Sequence, residues 1–319
     1  MRAIIVRAPG GPDALEAVHV EEPAPGPGQV RIRVAAAAVN PVDVVTRSGA
    51  LAAAGLMPAF GPDAPAPRDV GIGWDVAGTV DATGEDVTRF AVGDEVIGLR
   101  DRLDVPLGAY AEAIVLDADA VARAPRSVDA VHAATLPLNG LTAAQALDLL
   151  ALPSGSTLLV TGAAGAVGGH AVQLAAHRGL RVVGTASAAD EERVRGLGAD
   201  LFVPRGAHLG EAVRALVPGG VDGAVDAALL AGAALDAVRG GGAFAALSGG
   251  ASAPLPLRGV RVANVWIRAD GTRLAELAAL VDAGRLTPLV AGTLPLDGAA
   301  EAHTRLEAGG LRGRLVLTP

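Results

Sequence analysis

The chain has 319 residues, 51% of them apolar but only 2% aromatic, with a formal net charge of −8 and no cysteine. On a prior of about 100–200 residues per domain it holds two domains, and Ala, Val and Leu must fill their cores. Disulfides and thiolate zinc sites are excluded; all 26 basic residues are Arg, which excludes Schiff-base lysine chemistry, and their scatter in an acidic chain argues against a nucleic-acid partner.

The run Met1-Arg2-Ala3-Ile4-Ile5-Val6 is interrupted by Arg7 and reads as a first strand without the long apolar core of a signal peptide. No stretch of about 20 uncharged apolar residues follows, so no membrane span is expected and a cytoplasmic location is the default. Residues 1–125 read as short strands broken by Gly and Pro: Val30–Ala35 alternates, and Trp74–Val80, Val92–Gly98 and Tyr110–Val115 follow. Residues 50–70, rich in Ala, Gly and Pro, read as a long loop or a short helix, either a lid over a site or a surface insertion.

From about residue 127 helix and strand alternate. Helical material including Leu141–Leu150 precedes strand Thr157–Thr161 and helix Ala166–Arg178, which Gly179 can cap. Strand Arg181–Thr185, helix Asp190–Leu197, a strand near Leu201, helix Gly210–Leu216, strand Val221–Ala227, helix Leu230–Val238 and strand Ala243–Leu247 follow. Repeated units of this length predict a parallel sheet covered on both faces, an α/β architecture. A last helix, Thr272–Ala283, and a closing strand, Leu315–Thr318, end the chain.

The stretch Thr157–Gly169 carries most of the functional information. A β-branched apolar strand ends in Gly162-Ala163-Ala164-Gly165-Ala166-Val167-Gly168, an A-x-G-x-x-G turn that opens a helix. Gly165 permits close approach of a pyrophosphate, Gly168 permits close packing of helix on strand, and the helix N-terminus attracts the anion. The second strand ends in Thr185-Ala186-Ser187, where an NAD site usually places Asp or Glu. A small residue leaves room for a 2′-phosphate and the Ser187 hydroxyl can donate to it, so NADP(H) is the expected cofactor. Asp190, Glu191 and Glu192 would repel that phosphate if they faced it; Arg193 or Arg195 would offset them. His170 and His177, two turns apart on one helix, read as exposed or packing residues rather than metal ligands.

Ordered matches along the whole length give the chain a resemblance to the quinone oxidoreductase-like branch of the medium-chain dehydrogenase/reductase superfamily. They are Asn40-Pro41-Val42-Asp43, Gly73-Trp74-Asp75-Val76-Ala77-Gly78, Gly93-Asp94-Glu95-Val96, Gly108-Ala109-Tyr110-Ala111-Glu112, Leu136–Ala143, the Gly-Ala turn, Leu274–Leu286 and Gly313–Leu317. The resemblance implies a GroES-like β-rich catalytic domain over 1–125, completed by 268–319, and a Rossmann NADP(H)-binding domain with a doubly wound parallel sheet over 126–267. It also implies a cleft at their junction, a homodimer, and reduction of a quinone or the C=C bond of an enone without zinc. Zinc-dependent relatives carry a Cys-containing motif and a Gly-His-Glu motif where this chain has Asn40–Asp43 and Asp69-Val70-Gly71.

The resemblance also carries site residues over. Asn40 takes a place near nicotinamide and substrate, beside the reading of Asn40-Pro41 as a turn that orients its loop; Asp43 is its structural or polarising neighbour. Thr142 falls near the nicotinamide, a role compatible with a helix N-cap, and Arg314 at a cofactor-phosphate position, or on the surface beside the last strand. Asn139 binds a substrate carbonyl or starts a helix. Many relatives carry a Tyr soon after the Asn-Pro-x-Asp stretch; here Val44, Val45 and Thr46 stand there, and the Lys of polyketide enoyl reductases maps near Asp190. A proton would then come from water or through Thr46, and a quinone, which needs no placed carbon acid, fits better. The apolar loop Leu51–Phe60 suggests a hydrophobic or aromatic substrate. The competing readings are a pathway-specific biosynthetic reductase or non-redox enzyme on this scaffold, and a non-catalytic nucleotide-binding protein.

Overall fold

The computed structural model describes residues 1–66, 68–103, 105–206, 208–247 and 253–319. The chain forms two compact units, one of residues 1–138, 268–283 and 288–319, the other of 139–267 and 284–287. The first unit thus runs past the expected boundary at 125, and residues 284–287 group with the second.

In the second unit six strands pair side by side in the order Leu201–Pro204, Arg181–Ala186, Thr157–Thr161, Val221–Asp226, Val238–Ala246, Arg261–Asn264. Every pairing is parallel. This is the doubly wound order of a dinucleotide-binding sheet. Its strands read as unbroken apolar runs because both faces are covered: all five residues of Thr157–Thr161 are buried. Helix Ala166–His177 follows the central strand and Gly179, at φ +72°, ends it as expected. The helix expected over Leu230–Val238 shrinks to Gly232–Leu235. The cause is the Asp226 carboxylate, which accepts from the amides of Leu230 at 3.0 Å and Ala231 at 2.7 Å and holds that turn out of helical geometry.

In the first unit a seven-stranded sheet is built mainly from antiparallel pairs around Gln29–Ala38, which pairs with Asp75–Thr83, Ala113–Asp117 and the C-terminal strand Arg314–Thr318. The chain end therefore completes the N-terminal sheet. Alternation along Gln29–Ala38 puts Val30, Ile32 and Val34 into a core with Ile72, Ile114 and Leu315. Met57 and Phe60, from the apolar loop expected to face substrate, are buried in this same core, so much of that loop's apolarity serves packing.

Two helices here were not legible beforehand. Pro41–Arg47 starts with Pro at its first position, where the missing N–H costs nothing. Ala299–Ala308 lies beyond the helix Gly271–Asp282 that was expected to be last.

Candidate active site

The Gly-Ala turn has the geometry an anion needs. Gly162 takes φ +62°, in the left-handed region, and reverses the chain after the central strand. A Cβ on Gly168 would lie 2.2 Å from the Gly162 carbonyl oxygen, so only Gly lets the helix start sit this close to the turn. Gly165 caps helix Ala166–His177 in an extended conformation and brings no side-chain acceptor to its first turn. The Ala166, Val167 and Gly168 amides open the helix at its positive dipole end, and the buried Ala163 and Ala164 keep the approach small. The residues fit a pyrophosphate.

At the end of the second strand, Ser187 is half-buried and precedes a short turn of helix, Ala188–Asp190. Asp190 is buried, and Glu191 is taken up at 2.8 Å by Arg195, which also donates to the Asp200 carbonyl. Arg195 is therefore committed elsewhere, and the half-buried Arg193 sits on the same short helix, Glu191–Gly196. A further cation near Ser187 is Arg205, which the sequence did not single out. Its backbone amide donates to the Ala186 carbonyl at 2.6 Å, beside Ser187, and its side chain is exposed. Arg205, Thr185, His208, Leu230 and Asp236 line a cavity of about 360 Å³ in the second unit.

The first unit holds a buried polar array around Asn40. Both amide hydrogens of Asn40 are directed inward, to Asp75 Oδ2 at 2.8 Å and to the Ala38 carbonyl at 3.3 Å. Asp43 accepts from the Asn40 backbone amide at 2.8 Å, from the Gly73 amide at 3.2 Å and from the Tyr110 hydroxyl at 3.1 Å. Asp75 Oδ1 accepts from the Leu138 amide at 2.6 Å. Tyr110 Oη lies 3.4 Å from His303 Nε2, and His303 Nδ1 lies 3.3 Å from Arg47, which is paired with Glu307 at 2.7 Å. A guanidinium can only donate, so His303 Nδ1 accepts and Nε2 carries the proton towards Tyr110, whose own proton goes to Asp43.

Burial sets the electrostatics. It pushes Asp75 up to about 7, with the Asn40 and Leu138 hydrogen bonds pulling back, and Asp43 up to about 6, with Asn40 and Tyr110 pulling back. Burial lowers Arg314 to about 10, opposed by Asp75 and Asp43. Buried among these carboxylates, Arg314 is their countercharge; an accessible guanidinium for cofactor phosphates is not what the structure places there. Thr46 is buried and donates to the Val42 carbonyl at 2.7 Å, within its own helix. Asn139 and Thr142 are the third and sixth residues of helix Pro137–Leu150, which makes Asn139 part of the helix start and rules out an N-cap at Thr142. His170 is buried and donates Nδ1 to the Ala166 carbonyl, and His177 is exposed. Among the described residues no group of three His, Asp or Glu is arranged to hold a metal.

The array makes a pH prediction. Burial first, and Arg47 second, push His303 down to about 3 from 6.5. As pH falls from 6.5 the unfolded chain binds a proton that the folded one refuses, so this contribution to stability is lost on acidification. His303→Gln removes it while Asp43 and Asp75 stay in both proteins. At about 1.4 kcal/mol per pH unit, wild type should lose about 2–3 kcal/mol more than the variant between about pH 6.5 and 4.5. Urea unfolding across pH checks this; parallel curves would refute the buried neutral imidazole.

Known proteins resemble the chain in both units. Residues 26–126 match the family model "Alcohol dehydrogenase GroES-like domain" and residues 197–317 match "Zinc-binding dehydrogenase". The chain is 32% identical over 292 residues to the NADPH-dependent alkenal/one oxidoreductase of Arabidopsis thaliana, covering 89% of this chain and 70% of that one. The quinone oxidoreductase of Coxiella burnetii superimposes with a TM-score of 0.85 at 28% identity, over 100% of this chain and 99% of that one. A mycobacterial protein solved with NADPH gives a TM-score of 0.83 at 31% identity over 100% of both chains. With a sheet in the dinucleotide-binding order, a β-rich unit built from both chain ends and relatives along nearly its whole length, the chain belongs to the quinone oxidoreductase-like branch of the medium-chain dehydrogenase/reductase superfamily.

Proposed function

We propose that the protein is an NADPH-dependent oxidoreductase that transfers hydride to a quinone or to the C=C bond of an α,β-unsaturated carbonyl, without zinc. The observation that carries the reading is the bare helix opening at Gly165, with Gly168 against the Gly162 carbonyl, built to receive a pyrophosphate. Relatives named as alkenal/one and quinone oxidoreductases supply the reaction class. The turn Gly162–Gly168 would hold the diphosphate, the cavity beside Thr185 the adenosine end, and Ser187 with Arg205 the 2′-phosphate. Bound there, the nicotinamide supplies the hydride.

The chain's own residues orient the reacting groups. Asn40, buried with both amide hydrogens committed to Asp75 and Ala38, would act by holding its loop in place, with Asp43 and Asp75 fixing it; Thr142 and Asn139 are the candidates beside the nicotinamide on helix Pro137–Leu150. With the Thr46 proton committed and Tyr110 donating to Asp43, a quinone acceptor, protonated from solvent, suits the array best. A chain with no Cys, and no three-ligand His, Asp and Glu cluster among its described residues, supports the zinc-free reading. Purified protein should consume NADPH absorbance with a panel of quinones and enones, with no loss after chelator treatment. No NADPH consumption with any acceptor would overturn the assignment, and inactivation by chelator would overturn its zinc-free part.

We extend the proposal to a homodimer through strand Arg261–Asn264 at the sheet edge, beside the exposed Leu257 and Trp266. Light scattering after gel filtration should give twice the chain mass, and Trp266→Arg should reduce it to the monomer. A monomer in wild type would reject this part alone. The proposal also places the enzyme in the cytoplasm, which cell fractionation tests.

A further inference from the structure

Asp75 has its two carboxylate oxygens committed to two different pieces of the site. Oδ2 accepts from the side-chain amide of Asn40 at 2.8 Å, and Oδ1 accepts from the backbone amide of Leu138 at 2.6 Å. Leu138 is the second residue of helix Pro137–Leu150, so its amide is one of the orphan donors that a helix start leaves. Asp75 caps that helix from another element, strand Asp75–Thr83, and is itself fully buried. Asn139 and Thr142 follow on the same helix.

We propose that Asp75 is the positioning residue that sets the Asn40 side chain and the helix start at Pro137-Leu138 in one register for hydride transfer. A buried ionised carboxylate is costly, and an apolar residue would pack there without that cost. What the charge provides is two acceptors at a fixed spacing, each aimed at a donor on a different segment. Asn40 spends its remaining amide hydrogen on the Ala38 carbonyl, so its plane is fixed once Asp75 is in place. The groups facing Asp75 agree with the assignment: Arg314 supplies positive charge from the last strand, and Asp43 a like charge from helix Pro41–Arg47. Tyr110 interacts with both Asp43 and Asp75, and Arg100 with Asp43. The inference rests on the oxidoreductase reading for its consequence, and on the two hydrogen bonds for its content.

Asp75→Asn is the discriminating change. An amide keeps the shape but has one acceptor, so its NH2 must face either the Leu138 amide or the Asn40 amide, donor against donor. The expected result is a fall in kcat of about 100-fold, the factor that a small misplacement of reacting groups costs, with the KM for NADPH little changed. The wild-type kcat should also fall as Asp75 protonates, in the region of pH 7, and this limb should vanish in Asp75→Asn. Asn40→Ala should lower kcat comparably, and the double variant should be no worse than either single one, because the two side chains act as a unit. Wild-type kcat and pH profile in Asp75→Asn, or strictly additive losses, would overturn the proposal. Amide hydrogen exchange at Leu138 reads the tether without turnover. It should accelerate in Asp75→Asn in folded protein, and unchanged exchange would refute the tether even if no acceptor supports NADPH oxidation, the outcome that would reject the oxidoreductase reading instead.

Discussion

Gly168→Ala should weaken NADPH binding by about 10- to 100-fold while leaving a folded protein. The added Cβ would stand 2.2 Å from the Gly162 carbonyl oxygen and 2.7 Å from the carbonyl carbon, both backbone atoms that no rotamer change can move aside. The helix start must therefore lift from the turn, which weakens charge-assisted hydrogen bonds from its amides worth about 1.5–3 kcal/mol, or about 10- to 100-fold in affinity. The amides of residues 166–168 move with it, away from where they converge on the anion. Overpacking costs about 1–3 kcal/mol, and Ala returns about 1 kcal/mol of helix propensity, so global stability should fall only modestly. Gly196→Ala isolates the propensity effect: Gly196 lies in helix Glu191–Gly196 and its Cβ would meet nothing within 4 Å. That variant should gain about 0.5–1 kcal/mol and bind NADPH as wild type does. Calorimetric titration with NADPH and urea unfolding of both variants measure the two effects separately. If Gly168→Ala bound the coenzyme normally, the turn would not be its pyrophosphate site.

That turn was legible in the sequence because everything that defines it is local: strand Thr157–Thr161, the Gly-Ala run and helix Ala166–His177 are consecutive. The buried array around Asn40 was not. Asp43 meets Tyr110 across 67 residues and Tyr110 meets His303 across 193, and no periodicity or spacing links residues so far apart. The only Tyr of the chain therefore counted as an acid missing from the stretch after Asp43, although the fold brings its hydroxyl back to that carboxylate. Helix Ala299–Ala308, which carries His303, lies outside the elements the sequence predicts. Asp75 lay in plain view inside a family-like stretch, yet its two hydrogen bonds come from residues 35 positions before it and 63 after. The cation proposed for the 2′-phosphate shows the same limit at shorter range. Spacing pointed to Arg193 or Arg195 on the helix after the second strand. Parallel pairing of Ala186 with Pro204 instead delivers Arg205, at the end of the third strand, to the neighbourhood of Ser187.

Arg205 gives the second large effect. Arg205→Ala should raise the KM for NADPH by about 10- to 100-fold and leave the KM for NADH unchanged, the span expected for losing a charge-assisted bond of about 1.5–3 kcal/mol. The two coenzymes differ only in the 2′-phosphate, so a cation that reads this group changes one KM and not the other. Arg205 meets the requirement in two ways: its backbone is tied to Ala186, and it is an exposed residue lining the cavity that Thr185 also lines. Glu211 and Asp236 line the same cavity; Asp236 has Arg258 at 3.3 Å as its countercharge, and Arg205 would offset Glu211 against a dianion. Because Arg205 is exposed, its advantage is screened, and NADPH preference in wild type should shrink as salt is raised. Arg205→Glu should go further than Ala and turn the preference towards NADH, by adding a third carboxylate to the two already present. Arg195→Ala is the control, because its guanidinium is held by Glu191 and the Asp200 carbonyl. Steady-state kinetics with both coenzymes at two ionic strengths distinguish the cases. An equal change in both KM values would make Arg205 a general contributor to the cavity, and would pass selection of the phosphate to Ser187 with Arg193.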